Sequence, residues 1–206
     1  MCGRYTASDP DAIVDYFEAD YVAPFHAPNY NCAPTQSLPV ILNQTPKQID
    51  CLKWGLIPHW AKDEKIAYKM INARLETLAE KPTFKSLLKS KRCLVLADGF
   101  YEWKKVGKVK LPMRFTMANK SPFAFAGLWA EWQGTKTFTI ITTAANELLA
   151  PFHDRMPVIL RREDFVAWLD SGSLEVCRSY PADLMAVREA SPRVNSVKNN
   201  DASLIG

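Results

Sequence analysis

The chain opens Met1-Cys2-Gly3-Arg4, and its second residue has the clearest potential for chemistry. The initiator methionine is ordinarily removed when a small residue follows, so Cys2 is expected to become the terminal residue. It would then hold an α-amine and a thiol on adjacent carbons. The amine, with a reference pKa near ~7.8, is neutral in roughly a tenth or more of molecules at pH 7. The thiol, near ~8.5, is a few per cent thiolate. Such a pair reacts with aldehydes in two steps. The amine condenses to a Schiff base, and the thiol then adds to the imine carbon and closes a five-membered thiazolidine. The second step is intramolecular and gains the advantage of a held geometry. A lysine would stop at the reversible imine. Position alone does not separate this reading from an incidental cysteine.

Three downstream segments concentrate polar groups in apolar surroundings. Ile71-Asn72-Ala73-Arg74-Leu75-Glu76-Thr77 places Asn72 and Arg74 just before a helical stretch, where Asn72 also suits a helix cap and Arg74 a surface position. Ala97-Asp98-Gly99-Phe100-Tyr101-Glu102-Trp103-Lys104 runs a strand into Asp-Gly and then an aromatic strand carrying Glu102. Buried there, Glu102 would have a raised pKa and serve as an acid or base near neutrality; exposed, it would pair with Lys104 or Lys105. Phe152-His153-Asp154-Arg155-Met156-Pro157 holds one of only three histidines. His153 could move protons at physiological pH, or be held structurally by Asp154. His26 and His59 lie in Pro-containing loops and read as incidental.

The elements that must position these groups can be read coarsely. Ser8-Asp9-Pro10-Asp11 starts a helix to about residue 19, with Ser8 or Asp9 as cap and Ile13, Val14 and Phe17 on one face. Residues 22–37 are broken by proline and predict an ordered loop. Strands are expected at 38–42, 51–54, 93–97, 113–117, 123–128, 138–142 and 158–160. The stretch 75–91 is helical in composition, with Pro82 starting a second helix, and 164–169 forms a short helix ended near Ser171-Gly172. Most strands are joined by turns, which predicts an α+β fold: a mostly antiparallel, barrel-like β core with a few helices packed outside.

Composition sets broad limits. With 206 residues, 48% of them hydrophobic, one domain spanning 1–206 is the default. A net charge of +4 permits a polyanionic partner without demanding one. The five cysteines, at 2, 32, 51, 93 and 177, form no CxxC pair. They match neither a disulfide scaffold nor a zinc site, and they suit a reducing compartment. Cys93 opens an apolar run and reads as a buried structural thiol. The acidic first twenty residues lack a signal peptide's apolar core, and no stretch is apolar enough to span a membrane. The expectation is a soluble cytoplasmic monomer without metal or cofactor, nucleoid-associated in a bacterium.

In combination these segments resemble the SOS response-associated peptidase (SRAP) family, which includes abasic-site sensors that crosslink to DNA. The matching pieces are Met-Cys-Gly-Arg-Tyr at 1–5, Tyr-Asn-Cys-Ala-Pro at 30–34 and Trp-Gly-Leu-Ile-Pro at 54–58. Asn-Ala-Arg-Leu-Glu-Thr at 72–77, Ala-Asp-Gly-Phe-Tyr-Glu-Trp at 97–103, His-Asp-Arg-Met-Pro at 153–157 and Val-Asn-Ser-Val-Lys-Asn at 194–199 follow in the same order. Cys32 stands where an apolar residue is expected. The resemblance implies a barrel-like core with a cationic groove, and a substrate, the abasic site in single-stranded DNA, whose open sugar exposes an aldehyde. It implies that Cys2 forms the thiazolidine, Asn72 orients the sugar or the Cys2 end, Glu102 shuttles protons, and His153 assists ring opening. Arg4, Arg74 and Arg155 become candidates for phosphate contacts, and Pro34, Trp54 and Trp103 for a wedge or stacking surface. The peptidase label would refer to self-removal of Met1, and a Schiff base that does not close would permit lyase chemistry.

Two other classes compete. Class II glutamine amidotransferases also begin Met-Cys-Gly and use the thiol as nucleophile and the amine as base, but the downstream segments do not resemble them. A non-covalent single-strand-binding module would need only the aromatic loops and arginines.

Overall fold

The computed structural model describes residues 2–22 and 27–205, so Met1 and His26 lie outside the described residues. Its strands, in chain order, are β1 (Tyr5–Ala7), β2 (Asp20–Tyr21), β3 (Asn29–Cys32), β4 (Ser37–Leu42), β5 (Gln48–Trp54), β6 (Asn72–Arg74) and β7 (Arg92–Ala97). They continue as β8 (Gly99–Val106), β9 (Val109–Met117), β10 (Phe123–Trp132), β11 (Thr135–Ala144), β12 (Arg155–Pro157), β13 (Ile159–Leu160) and β14 (Met185–Glu189). The α-helices are α1 (Pro10–Phe17), α2 (Pro82–Ser90) and α3 (Phe165–Ser171).

The continuous apolar runs become strands covered on both faces. Every residue of β7 is buried, and so are the first eight of β10. These strands belong to a closed ring, β11-β10-β7-β4-β5. Neighbours around the ring are antiparallel except at the seam, where β5 meets β11 in parallel through Thr137↔Lys53 and Phe138↔Trp54. Closure removes the edges an open sheet would expose. A second, wholly antiparallel sheet, β14-β9-β8-β1-β3, packs its inner face on the same core. The result is the expected α+β fold with a mostly antiparallel barrel.

A chain of aromatic contacts joins the two sheets. Phe152 meets Phe115 edge-on at 5.3 Å between centroids, Phe115 stacks on Phe100 at 5.2 Å, and Phe100 meets Phe125 at 5.9 Å. Phe125 meets Tyr5 at 5.7 Å, Tyr5 meets Trp54 at 5.2 Å, and Trp54 stacks on Phe138 at 6.2 Å. Each such pair adds about 0.5–1.5 kcal/mol to the area it buries. The helices are clipped outside. Asp9 Oδ1 caps α1 by accepting from the Ala12 amide at 3.0 Å. Buried Arg92 donates to Leu169 O at 2.9 and 2.6 Å and to Leu88 O at 2.9 Å, satisfying end carbonyls of α3 and α2 together. Gly172, at φ 65°, ends α3; a Cβ there would lie 2.8 Å from Arg92 Cδ.

Several expectations need correction. The segment read as a loop over 22–37 contains β3, which pairs with β1. Asn72 is no helix cap: it sits in β6, parallel to β11 and opposite Ile140. The stretch 75–91 forms only a single 3₁₀ turn, Leu75–Thr77, before α2 begins at Pro82. Strands β1 and β14 were not anticipated; both are short, and each is defined by partners distant in sequence. Cys93 is buried and free, as expected, and Cys32 is likewise buried in the core.

Asp98 anchors β1. Its carboxylate accepts from Thr6 Oγ1, from the Ser8 amide at 2.5 Å and Ser8 Oγ at 2.8 Å, and pairs with buried Arg114 at 2.9 Å. Asp98→Ala would leave Arg114 without its counter-charge in a desolvated position. The expected cost is about 3–5 kcal/mol. It should appear in urea denaturation as a lowered midpoint at unchanged slope; a loss under 1 kcal/mol would show that the pair does not anchor the strand.

Candidate active site

The site begins with strand register. β1 lies antiparallel to β8 with Tyr5 opposite Phe100, and the Tyr101 amide donates to Arg4 O at 3.0 Å. Running the pairing outward brings residues 2 and 3 alongside Glu102 and Trp103. Cys2 is fully buried there, with Sγ 4.0 Å from Arg4 O. Burial pushes its thiol well above the ordinary value, and the charge of Glu102 adds to the rise.

Glu102 is 5% exposed, which excludes the pairing with Lys104 or Lys105 on an open surface. Burial raises its carboxyl to about 7, opposed by the positive charge of the amino terminus. A group ionising there can both give and take a proton at neutral pH.

His153 arrives from another element. The turn after β11 is closed by the Phe152 and His153 amides, which donate to Leu149 O at 2.8 and 3.1 Å, and the Phe152 ring is held against Phe115. His153 Nδ1 lies 2.9 Å from the Arg155 amide and 2.8 Å from Asp154 Oδ1. Both cannot be hydrogen bonds of one protonation state. Burial lowers the His153 pKa and so favours the neutral ring. With Nδ1 accepting from the Arg155 amide, its proton sits on Nε2.

Glu102, Trp103 and His153 line one groove of about 530 Å³ with Lys105, Lys110, Phe152 and Asn195. Glu102 and His153 thus share this groove, and Cys2 lies buried behind it, near enough to Glu102 to feel its charge. Asn72 donates to Ile71 O at 2.9 Å, while its buried Oδ1 has no hydrogen-bond partner among the described residues.

The other expected residues fall differently. Trp54, expected as a stacking surface, is fully buried between Tyr5 and Phe138, closed off from any base. Its indole donates to Ile71 O at 2.9 Å, the same carbonyl that accepts from the Asn72 side-chain amide. Arg4 turns inward, donating to Asn31 Oδ1 at 2.6 Å and Val194 O at 2.8 Å. Arg155 grips Glu76 through both terminal nitrogens, at 2.6 and 2.9 Å, and donates to Thr142 O at 2.6 Å. Arg74 is exposed at the end of β6, and Pro34 is half-buried in the turn after β3. Trp103 is half-buried, its indole donating to Asn195 Oδ1 at 2.8 Å.

Sequence reasoning missed Lys105, Lys110 and Asn195. The signal for the lysines was present in Lys104-Lys105-Val106-Gly107-Lys108-Val109-Lys110: Gly107, at φ 59°, makes the hairpin turn that sets Lys105 opposite Lys110. Among the described residues, no cluster of three or more His, Cys, Asp or Glu could hold a metal ion, and no helix is long and apolar enough to cross a membrane.

Fold and site together define a class: a closed mixed barrel carrying a second-position cysteine beside a buried, near-neutral glutamate, with a histidine in the adjoining groove. The chain belongs to the SOS response associated peptidase (SRAP) family, which matches residues 1–197. The abasic site processing protein YoqW of Bacillus subtilis (strain 168) is 47% identical over 222 residues, covering 100% of this chain and 99% of the relative. The abasic site processing protein HMCES of Gallus gallus is 34% identical over 217 residues, covering 85% of this chain and 65% of the relative. A crystal structure of a protein from Bacteroides thetaiotaomicron shares the fold, with a TM-score of 0.88 at 23% identity, covering 100% of this chain and 98% of that one.

The Glu102 pKa carries a sign for stability. The carboxyl ionises at about 7 in the fold against an ordinary 4.5. Below about pH 4 both states are protonated and burial carries no ionisation cost. Between the two values the unfolded chain ionises first, so stability is lost as pH rises, reaching on the order of 3 kcal/mol above pH 7. Glu102→Gln should raise the thermal midpoint at pH 8 and change it little at pH 4. Parallel midpoint–pH curves for the two proteins would show that Glu102 is not held protonated by burial.

Proposed function

We propose that this protein captures abasic sites in single-stranded DNA through a thiazolidine formed by Cys2. The observation that carries this reading is the β1–β8 register, which sets the start of the chain beside a carboxyl poised near neutrality.

The names of the relatives, abasic site processing proteins, supply the substrate class. Hydrolysis of the Met1–Cys2 peptide bond, consuming one water, frees the α-amine; self-removal through Glu102 fits its position. His153, with Nε2–H, assists opening of the deoxyribose ring to its aldehyde. The amine adds to that carbonyl and expels water, giving the Schiff base, with Glu102 supplying and then recovering the proton. The Cys2 sulfur bonds to the imine carbon, its proton passing to the nitrogen, and the ring closes. Deprotonation of the thiol is uphill in its buried setting, so Glu102 also acts as base for closure. Asn72 offers its unpaired Oδ1 to a sugar hydroxyl. If closure is slow, β-elimination from the Schiff base gives strand cleavage.

Lys105 and Lys110, with Arg74, supply the phosphate contacts, while Arg155 stays paired with Glu76, and Trp103 and Pro34 supply the apolar surface against the bases. The chain acts as a monomer in the cytoplasm, at the nucleoid in a bacterium.

The test is a denaturing gel after mixing the protein with single-stranded DNA bearing one abasic site. Wild type should give a covalent band and an intact mass lacking Met1, and Cys2→Ala no band; a band of undiminished intensity from Cys2→Ala would end the assignment. Glu102→Gln and His153→Ala should slow its formation. Lys105→Ala and Lys110→Ala should each reduce the slope of log affinity against log salt by roughly 0.7. An unchanged slope would remove the lysines from the DNA path.

A further inference from the structure

Asn31 is 1% exposed on β3, and its amide is saturated. Oδ1 accepts from Arg4 Nη1 at 2.6 Å. Nδ2 has three carbonyls in range, Asn199 at 2.8 Å, Ser196 at 3.0 Å and Val194 at 3.3 Å. Two hydrogens serve the nearer two, because Val194 O already takes Arg4 Nη1 at 2.8 Å. One side chain thus fastens three parts of the molecule: β3, the start of the chain, and the C-terminal segment that carries Asn195 to the groove.

Arg4 is clamped on its backbone as well, since its carbonyl accepts from Tyr101 in β8. Between this fixed residue and Cys2 stands only Gly3, the most permissive link a chain can have. One residue spans only about 3.5 Å, so where Arg4 is held limits how far the Cys2 amine and thiol can lie from Glu102. A buried amide is costly unless its hydrogen bonds are made, and here they are spent on that placement.

We propose that Asn31 is a positioning residue for the Cys2 reaction, acting through Arg4 and locking the C-terminal segment over the same junction. The proposal rests on the crosslinking function above. It also assigns Arg4 to holding the nucleophile, in place of a phosphate contact.

The test is single-turnover crosslinking to abasic single-stranded DNA over a range of DNA concentrations. Asn31→Leu, which removes acceptor and donors, should lower the maximal rate about tenfold or more and leave the half-saturating DNA concentration within about twofold. Asn31→Asp keeps the acceptor for Arg4 and should retain more of the rate. Arg4→Met, at a half-buried position, reaches the same junction from the other side if Asn31→Leu does not fold; it should also lower the maximal rate alone. The double variant Arg4→Met with Asn31→Leu, or with Asn31→Asp, should be no slower than the slower single, because both act on one linkage. A folded Asn31→Leu with the wild-type maximal rate, multiplicative losses in the double variant, or an Arg4→Met that raises the half-saturating concentration at unchanged maximal rate would each overturn it. A wild-type protein that gives no covalent band would remove the underlying reading and this proposal with it.

Discussion

The placement of β1 governs the rest of the structure. The strand has three residues, too few for its own hydrogen bonds to hold it, and it is secured from every side instead. β3 and β8 pair with its two edges. Tyr5 drives one face into the aromatic chain, and Asp98 gathers the other through Thr6 and Ser8. Once Tyr5 stands opposite Phe100, the start of the chain has nowhere to go but past Glu102. A slip of one residue would turn every side chain of the strand to the wrong face.

The electrostatics follow from that placement. The same burial that keeps the Cys2 thiol protonated lifts Glu102 into the neutral range and pulls His153 down. Glu102 and His153, of different ordinary acidity, are thereby brought to states in which protons can pass between them near neutral pH, while the Cys2 thiol is held protonated. The barrel's part is rigidity. The line of rings from Phe152 to Phe138 couples the turn that bears His153, the strand next to Glu102 and the strand that follows Cys2 into one packed unit.

What could be read in advance divides along physical lines. Residue chemistry was legible: a second-position cysteine, a glutamate among aromatics and a histidine among charges stand out by type. Long apolar runs such as Cys93–Ala97 declared themselves as strands because burial on both faces leaves an unbroken signature. Asn72, a candidate site residue, also suited a helix cap because asparagine favours helix starts; its parallel pairing with Ile140 comes from a strand almost seventy positions later and leaves no local trace. Trp54 looked like a stacking surface because nothing nearby tells a buried ring from an exposed one. Asn31 stands out in the sequence only as part of a motif. Its partners lie 27 to 168 positions away, and a polar residue satisfied at that range is invisible to pattern.

The bond between Arg4 and the carbonyl of Val194 spans 190 positions. During synthesis the residues at the start emerge first, and this anchor follows 190 residues later. Contacts of such separation carry a loop-closure cost that local pairings do not. Until residue 194 has been made, Arg4, and with it the start of the chain, lacks this anchor.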